Sequence, residues 1–112
     1  MGERTMIEID SSLIEEIVER ITRVARPDRV ILFGSAAVGN LTPDSDLDLL
    51  VLERDVRDAR RDSRKLREAL SGLGIAVDLV VMRTARFEET KDVVGGIAYP
   101  ANKYGKVIYV AA

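Results

Sequence analysis

The chain has 112 residues, enough for one domain and too few for two stable cores. Seventeen basic and 19 acidic side chains leave a net charge of −2, which gives no bulk attraction to nucleic acid. There is no cysteine or histidine, so a disulfide framework, a thiolate zinc site and an imidazole base are all excluded.

Ionic chemistry must then rest on carboxylates, whose oxygens suit a hard cation such as magnesium or manganese. A hydrophobic share of 46% and a charged share of 32% indicate a soluble globular chain. No apolar run approaches the roughly 18 residues of a membrane span. The opening MGERTMIEID carries acids where a signal peptide needs an apolar stretch. The expectation is a cytoplasmic protein with no membrane contact and no direct nucleic-acid binding.

In chain order, residues 1–11 read as a tail and 12–112 as one domain. Ser12 and Glu15 have capping-box spacing, and Leu13, Ile14, Ile17, Val18, Ile21 and Val24 recur at helical spacing, which predicts a helix from Ser12 to about Ala25, ended by Pro27. The apolar run Arg29–Phe33 predicts a strand buried on both faces. One or two helical turns are expected over Ser35–Val38, and a loop over the turn formers Asn40–Ser45.

Asp46–Leu52 predicts a second strand and Val56–Leu73 a long helix, whose mixed charges read as a solvated face laced by i,i+4 pairs in preference to a dedicated phosphate-binding patch. Ile75–Met82 predicts a third strand, Thr84–Lys91 a helix capped by Thr84, and Asp92–Tyr104 a helical stretch kinked or restarted at Pro100. Gly105 suits a C-cap and Lys106–Val110 a last strand. In the apolar stretch Val93–Val110, Tyr99 and Tyr104 either complete this domain's core or cover a partner. Alternating helices and strands indicate an α/β (α+β) fold, a mixed sheet of about four strands packed against helices.

Chemistry concentrates between Leu32 and Val51. On a strand, Asp46 and Asp48 point to one side about 7 Å apart, repelling each other unless a divalent cation sits between them. Asp78 interrupts an apolar strand, where a lone acid is costly unless paired or metal-bound. If the second and third strands are neighbours, the three carboxylates form a site for two magnesium ions about 4 Å apart, the arrangement that clamps both oxygens in phosphoryl transfer. Gly34-Ser35, directly after the first strand, offers close backbone approach and a hydroxyl to terminal phosphates. Alone, each feature has an ordinary structural explanation; their joint order and spacing carry the functional reading.

Gly34-Ser35, ten residues (Ala36 to Ser45), Asp46-Leu47-Asp48, and then Asp78 on a later strand make a spacing that resembles the nucleotidyltransferase superfamily of DNA polymerase beta, and within it the minimal nucleotidyltransferase (MNT) domains. Ser45-Asp46-Leu47-Asp48-Leu49 and the closing Tyr104-Gly105-Lys106-Val107-Ile108-Tyr109 share the likeness, which runs from about Ser12 onward. The resemblance implies that Asp46, Asp48 and Asp78 ligate two Mg2+ ions, that Asp78 helps activate the attacking hydroxyl, and that Gly34, Ser35 and Ser45 bind the nucleotide. Many members read G-S-x-A-R-G, and here Val38 stands at the arginine position; Arg83, Arg86 or Lys91 are candidate substitutes.

MNT domains of this kind are often antitoxins that transfer AMP from ATP to a tyrosine of a HEPN ribonuclease toxin, so the resemblance implies an ATP-dependent protein adenylyltransferase with such a partner. Two other readings stand beside it: a binding module that neutralises its partner by contact, and a transferase acting on a small molecule such as an aminoglycoside. Self-association is a further possibility that the sequence leaves open.

Overall fold

The computed structural model describes residues 11–39 and 45–112. Its elements are α1 (Ser11–Val24), β1 (Arg29–Phe33), a 3-10 turn (Gly34–Ala36), β2 (Leu47–Glu53), α2 (Ala59–Ala69), β3 (Val77–Arg83), α3 (Thr84–Thr90), α4 (Ala98–Tyr104) and β4 (Lys106–Val110). The expected tail and the centre of the expected loop, residues 40–44, lie outside the described residues.

The strands form one mixed sheet in the order β3-β2-β1-β4. β1 is antiparallel to both β2 and β4, whereas β2 and β3 are parallel, a relation that requires a crossover, supplied by α2. Alternation along the strands divides the core. Val30, Leu32, Leu47, Leu49, Val51 and Leu79 face α1 and α2, meeting Ile17, Ile21, Leu66 and Leu70. Ile31, Leu50 and Leu52 face the other way onto Phe87 of α3 and Ala98 and Ala101 of α4. Burying each of these Leu, Ile and Phe side chains contributes about 1.5–3 kcal/mol. β1 is apolar throughout its middle because it has a strand on either side and helices on both faces.

Helix α2 is shorter than its apolar periodicity predicts. Asp58 accepts a hydrogen bond from the Arg61 amide at 3.1 Å and so fixes the start at Ala59. At the other end Arg20 of α1 donates to the carbonyls of Ala69 and Ser71, the latter at 2.7 Å, satisfying groups that further helix would have used. The expected i,i+4 ion pairs do not form: among the described residues no salt bridge joins two side chains of α2. Asp58/Asp62, Arg60/Arg64 and Arg61/Lys65 set like charges four apart, while Arg64 and Glu68, of opposite charge at that spacing, also do not pair.

Three further expectations change. Thr84 does not cap α3, whose N-cap is Arg83 without a side-chain bond; its hydroxyl instead donates to Asp28 Oδ2. Pro100 neither kinks nor restarts a helix, because α4 begins only at Ala98 and the ring sits in its first turn, where the missing N–H is not needed. Gly105 closes α4 with φ −77° rather than in a left-handed cap. Glycine is required there by proximity, since a Cβ would lie 2.2 Å from the Ala101 carbonyl oxygen and 2.7 Å from Ile31 Cγ2. The apolar C-terminal stretch is divided between both readings: Ala98 and Ala101 are core, while Tyr104 is 56% and Val94 79% exposed.

Candidate active site

The site-bearing residues meet at one end of the sheet. Asp48 is the second residue of β2 and Asp78 the second of β3, and the two are partners in the parallel register. They therefore point to the same face, on strands about 4.8 Å apart. On the other side of β2, Asp48 is opposite Phe33, the last residue of β1, so the chain leaving β1 enters Gly34 directly beside it. Gly34 has φ +70°, and a Cβ on it would fall 2.2 Å from Asp48 Oδ2. Only glycine serves at that turn, for conformation and for space together.

Ser35 follows inside the 3-10 turn and is exposed. Asp46, the expected first residue of the strand, is exposed and lies immediately before β2, which begins one residue later, and Ser45 precedes it half-buried. The Leu47 amide donates to Ala76 O at 2.8 Å, stitching the beginnings of β2 and β3 together below the carboxylates.

The electrostatics follow from this crowding. Burial, then the charge of Asp78, then that of Asp46 raise the pKa of Asp48 above its ordinary 3.8. Asp48 thus feels both other acids, and among the described residues Asp48 and Asp78 have no basic side chain within ion-pair distance. Such a donor set fits a hard divalent cation by its chemistry. It is not a closed cage: among the described residues no group of three or more acidic side chains stands close enough to hold a metal ion. Asp48 and Asp78 form a pair, with Asp46 as a third arm at the start of the strand.

The proposed substitutes for a loop arginine stand elsewhere. Arg83 is opposite Glu53, five residues along β2 from Asp48, or about 17 Å away. Arg86 and Lys91 continue from there in and just beyond α3, and Lys91 pairs with Glu88 at 3.3 Å. Val38 itself is 54% exposed. Sequence spacing also missed the packing of Gly34 on Asp48, because a contact across an antiparallel pair leaves no local trace.

A sheet with carboxylates abreast at its rim, and a glycine turn laid against one of them, defines a nucleotidyl-transfer fold. The chain belongs to the nucleotidyltransferase domain family, which it matches over residues 11–99. Among solved structures it is similar to the toxin–antitoxin MntA–HpeT carrying Asp-to-Glu changes at two positions two residues apart, with 25% identity, a TM-score of 0.64, and coverage of 88% of this chain and 73% of that one. It is similar to a toxin–antitoxin with AMP-PNP at 26% identity and TM-score 0.59, covering 88% and 73%. A fold likeness extends to the tri-AMPylated Shewanella oneidensis HEPN toxin in complex with MNT antitoxin, at 23% identity and TM-score 0.55, covering 92% and 74%. No curated protein matches the chain. Among the described residues no helix is long and apolar enough to cross a membrane.

Proposed function

We propose that this chain is an antitoxin-type adenylyltransferase of the cytoplasm, transferring AMP from ATP to a tyrosine of a HEPN-type toxin. The observation that carries the reading is the pairing of Asp48 with Asp78 beside Gly34; the similarity to toxin–antitoxin structures, one with AMP-PNP, supports the partner and the nucleotide.

In this reading Asp46, Asp48 and Asp78 hold two Mg2+ ions, which when bound neutralise charge on the transferring phosphate. Gly34 and Ser35 receive the β- and γ-phosphates, the glycine by leaving the backbone uncovered and the serine through its hydroxyl. Ser45 orients the nucleotide from the entrance of β2. The tyrosine oxygen bonds to the α-phosphorus while the bond to pyrophosphate breaks, and Asp78, exposed at the rim, accepts the tyrosine proton.

The test is incubation with α-labelled ATP, Mg2+ and the product of the neighbouring gene. Label on a partner tyrosine is expected; its absence with both Mg2+ and Mn2+ overturns the reading.

One observation favours a second reading, neutralisation by contact alone: Val38 stands in place of arginine, and Arg83 lies opposite Glu53, five residues along β2 from Asp48. Changing both Asp46 and Asp48 to Asn separates the two. Protection of cells that survives the double substitution assigns the effect to binding.

A further inference from the structure

Three arginines form a row along α2. Arg60, Arg64 and Arg67 line an open groove of about 510 Å3 along one flank of the helix, with Ala59 and Ser63 as its floor and Glu68 at its end. Among the described residues none of the three arginines is in a salt bridge. Arg60 and Arg64 are four apart and Arg64 and Arg67 three apart, so like charges are stacked on one side of a helix, an arrangement that opposes helix formation. An anion brought to this row would relieve the repulsion between its charges.

The flank also has a direction. Arg67 donates to the carbonyl of Leu79, at 3.4 Å. Leu79 lies in β3, the last strand of the sheet on that side, and follows Asp78. The row therefore ends beside β3 next to the position of Asp78, whose carboxylate points to the opposite face of this edge strand.

We propose that this flank of α2 is the docking surface for an acidic helical segment of the protein partner, seated so that the partner's acceptor side chain reaches the Asp78 rim. The inference rests on the reading above that the partner is a protein. Acidic side chains at i, i+3 or i+4, and i+7 on a helix repeat at the spacing of Arg60, Arg64 and Arg67. The small floor of Ala59 and Ser63 admits close approach of a second helix, and guanidinium forks suit carboxylates in pairs. A nucleic-acid strand fits less well. No aromatic side chain lines the groove to stack a base, and the chain as a whole is negative.

The experiment measures binding of a labelled helical peptide with Glu at every third or fourth position. It compares the intact chain, Arg60→Glu with Arg64→Glu, and Asp46→Asn with Asp48→Asn, and runs a single-stranded oligonucleotide of equal charge in parallel. The expected result is peptide binding that weakens about tenfold in the arginine variant and falls with salt, while the aspartate variant binds as the intact chain does. Equal binding by the arginine variant, or tighter binding of the oligonucleotide, overturns the proposal. Mg–ATP binding, followed by calorimetry on the same proteins, keeps the two readings apart. Its loss only in the aspartate variant leaves the nucleotide reading standing whatever the peptide does, and its absence from the intact chain removes that reading without touching the docking surface. Circular dichroism of the arginine variant establishes that α2 is folded.

Discussion

Asp48 and Asp78 stand side by side on parallel strands, with no cation between them among the described side chains. Burial and the neighbouring charges raise the pKa of Asp48, so the folded state holds its proton more tightly than the unfolded state. The associated stability is fully present below the unfolded value of 3.8 and is lost as pH rises through the raised folded value.

Asp48→Asn removes this loss. Without metal at pH 7 it is expected to stabilise the fold by a few tenths to about 1 kcal/mol, a gain that shrinks as the pH approaches the ordinary carboxylate range. Denaturant titrations at two pH values measure it, and a variant less stable than wild type at pH 7 contradicts the repulsion. The same substitution is expected to lower nucleotidyl transfer by about 10^3-fold or more.

Gly34→Ala introduces a Cβ 2.2 Å from Asp48 Oδ2 at a backbone with φ +70°. Left-handed backbone costs an L-residue about 1–2 kcal/mol, and Asp48 must move as well. Reduced stability in urea, together with weakened binding of Mg–ATP, is the expected outcome. Normal nucleotide affinity would show that the turn is not part of the phosphate site.

Gly105→Ala tests the other close approach. Its backbone angle suits any residue, so the whole cost comes from the collision with the Ala101 carbonyl and Ile31. A loss of about 1–3 kcal/mol is expected from overpacking. Thermal melts decide the matter; an unchanged midpoint would mean that α4 shifts without penalty.

Glu53 is a half-buried acid at the far end of β2. Its Oε1 is buried with no hydrogen-bond partner among the described residues. Burial first, then Asp62 and Asp28, raise its pKa above 4.5. As with Asp48, the sign makes stability fall as pH rises through the raised value. Glu53→Gln is expected to flatten that part of the stability profile and to be at least as stable as wild type at pH 7. A steeper profile in the variant would exclude this assignment.

How much was legible in sequence depends on how local the cause is. β1 was readable to the residue because a short apolar run between Arg29 and Gly34 admits little else. Asp48 and Asp78 could be singled out because an acid in an apolar strand is conspicuous wherever the strand pairs, and Asp46 by its place two residues before Asp48. Their grouping needed the parallel register of β2 and β3, which the intervening helix suggests and only the fold supplies. The limits of α2 were not readable, since its last carbonyls are taken by Arg20 from a distant part of the chain. The role of Gly105 was hidden for the same reason: its neighbour Ile31 is 74 positions away.

The two faces of the sheet are unequally secured. Among the described residues, the α1–α2 side is held by ten buried side chains and the α3–α4 side by six, two of them alanines. The thinner layer is the one on the carboxylate face, so it opens at lower free energy than the rest of the fold. Amide exchange should therefore be faster in α3 and α4 than in α1. A ligand braced against that face would slow exchange there first, making the weaker half of the molecule the half that senses occupancy.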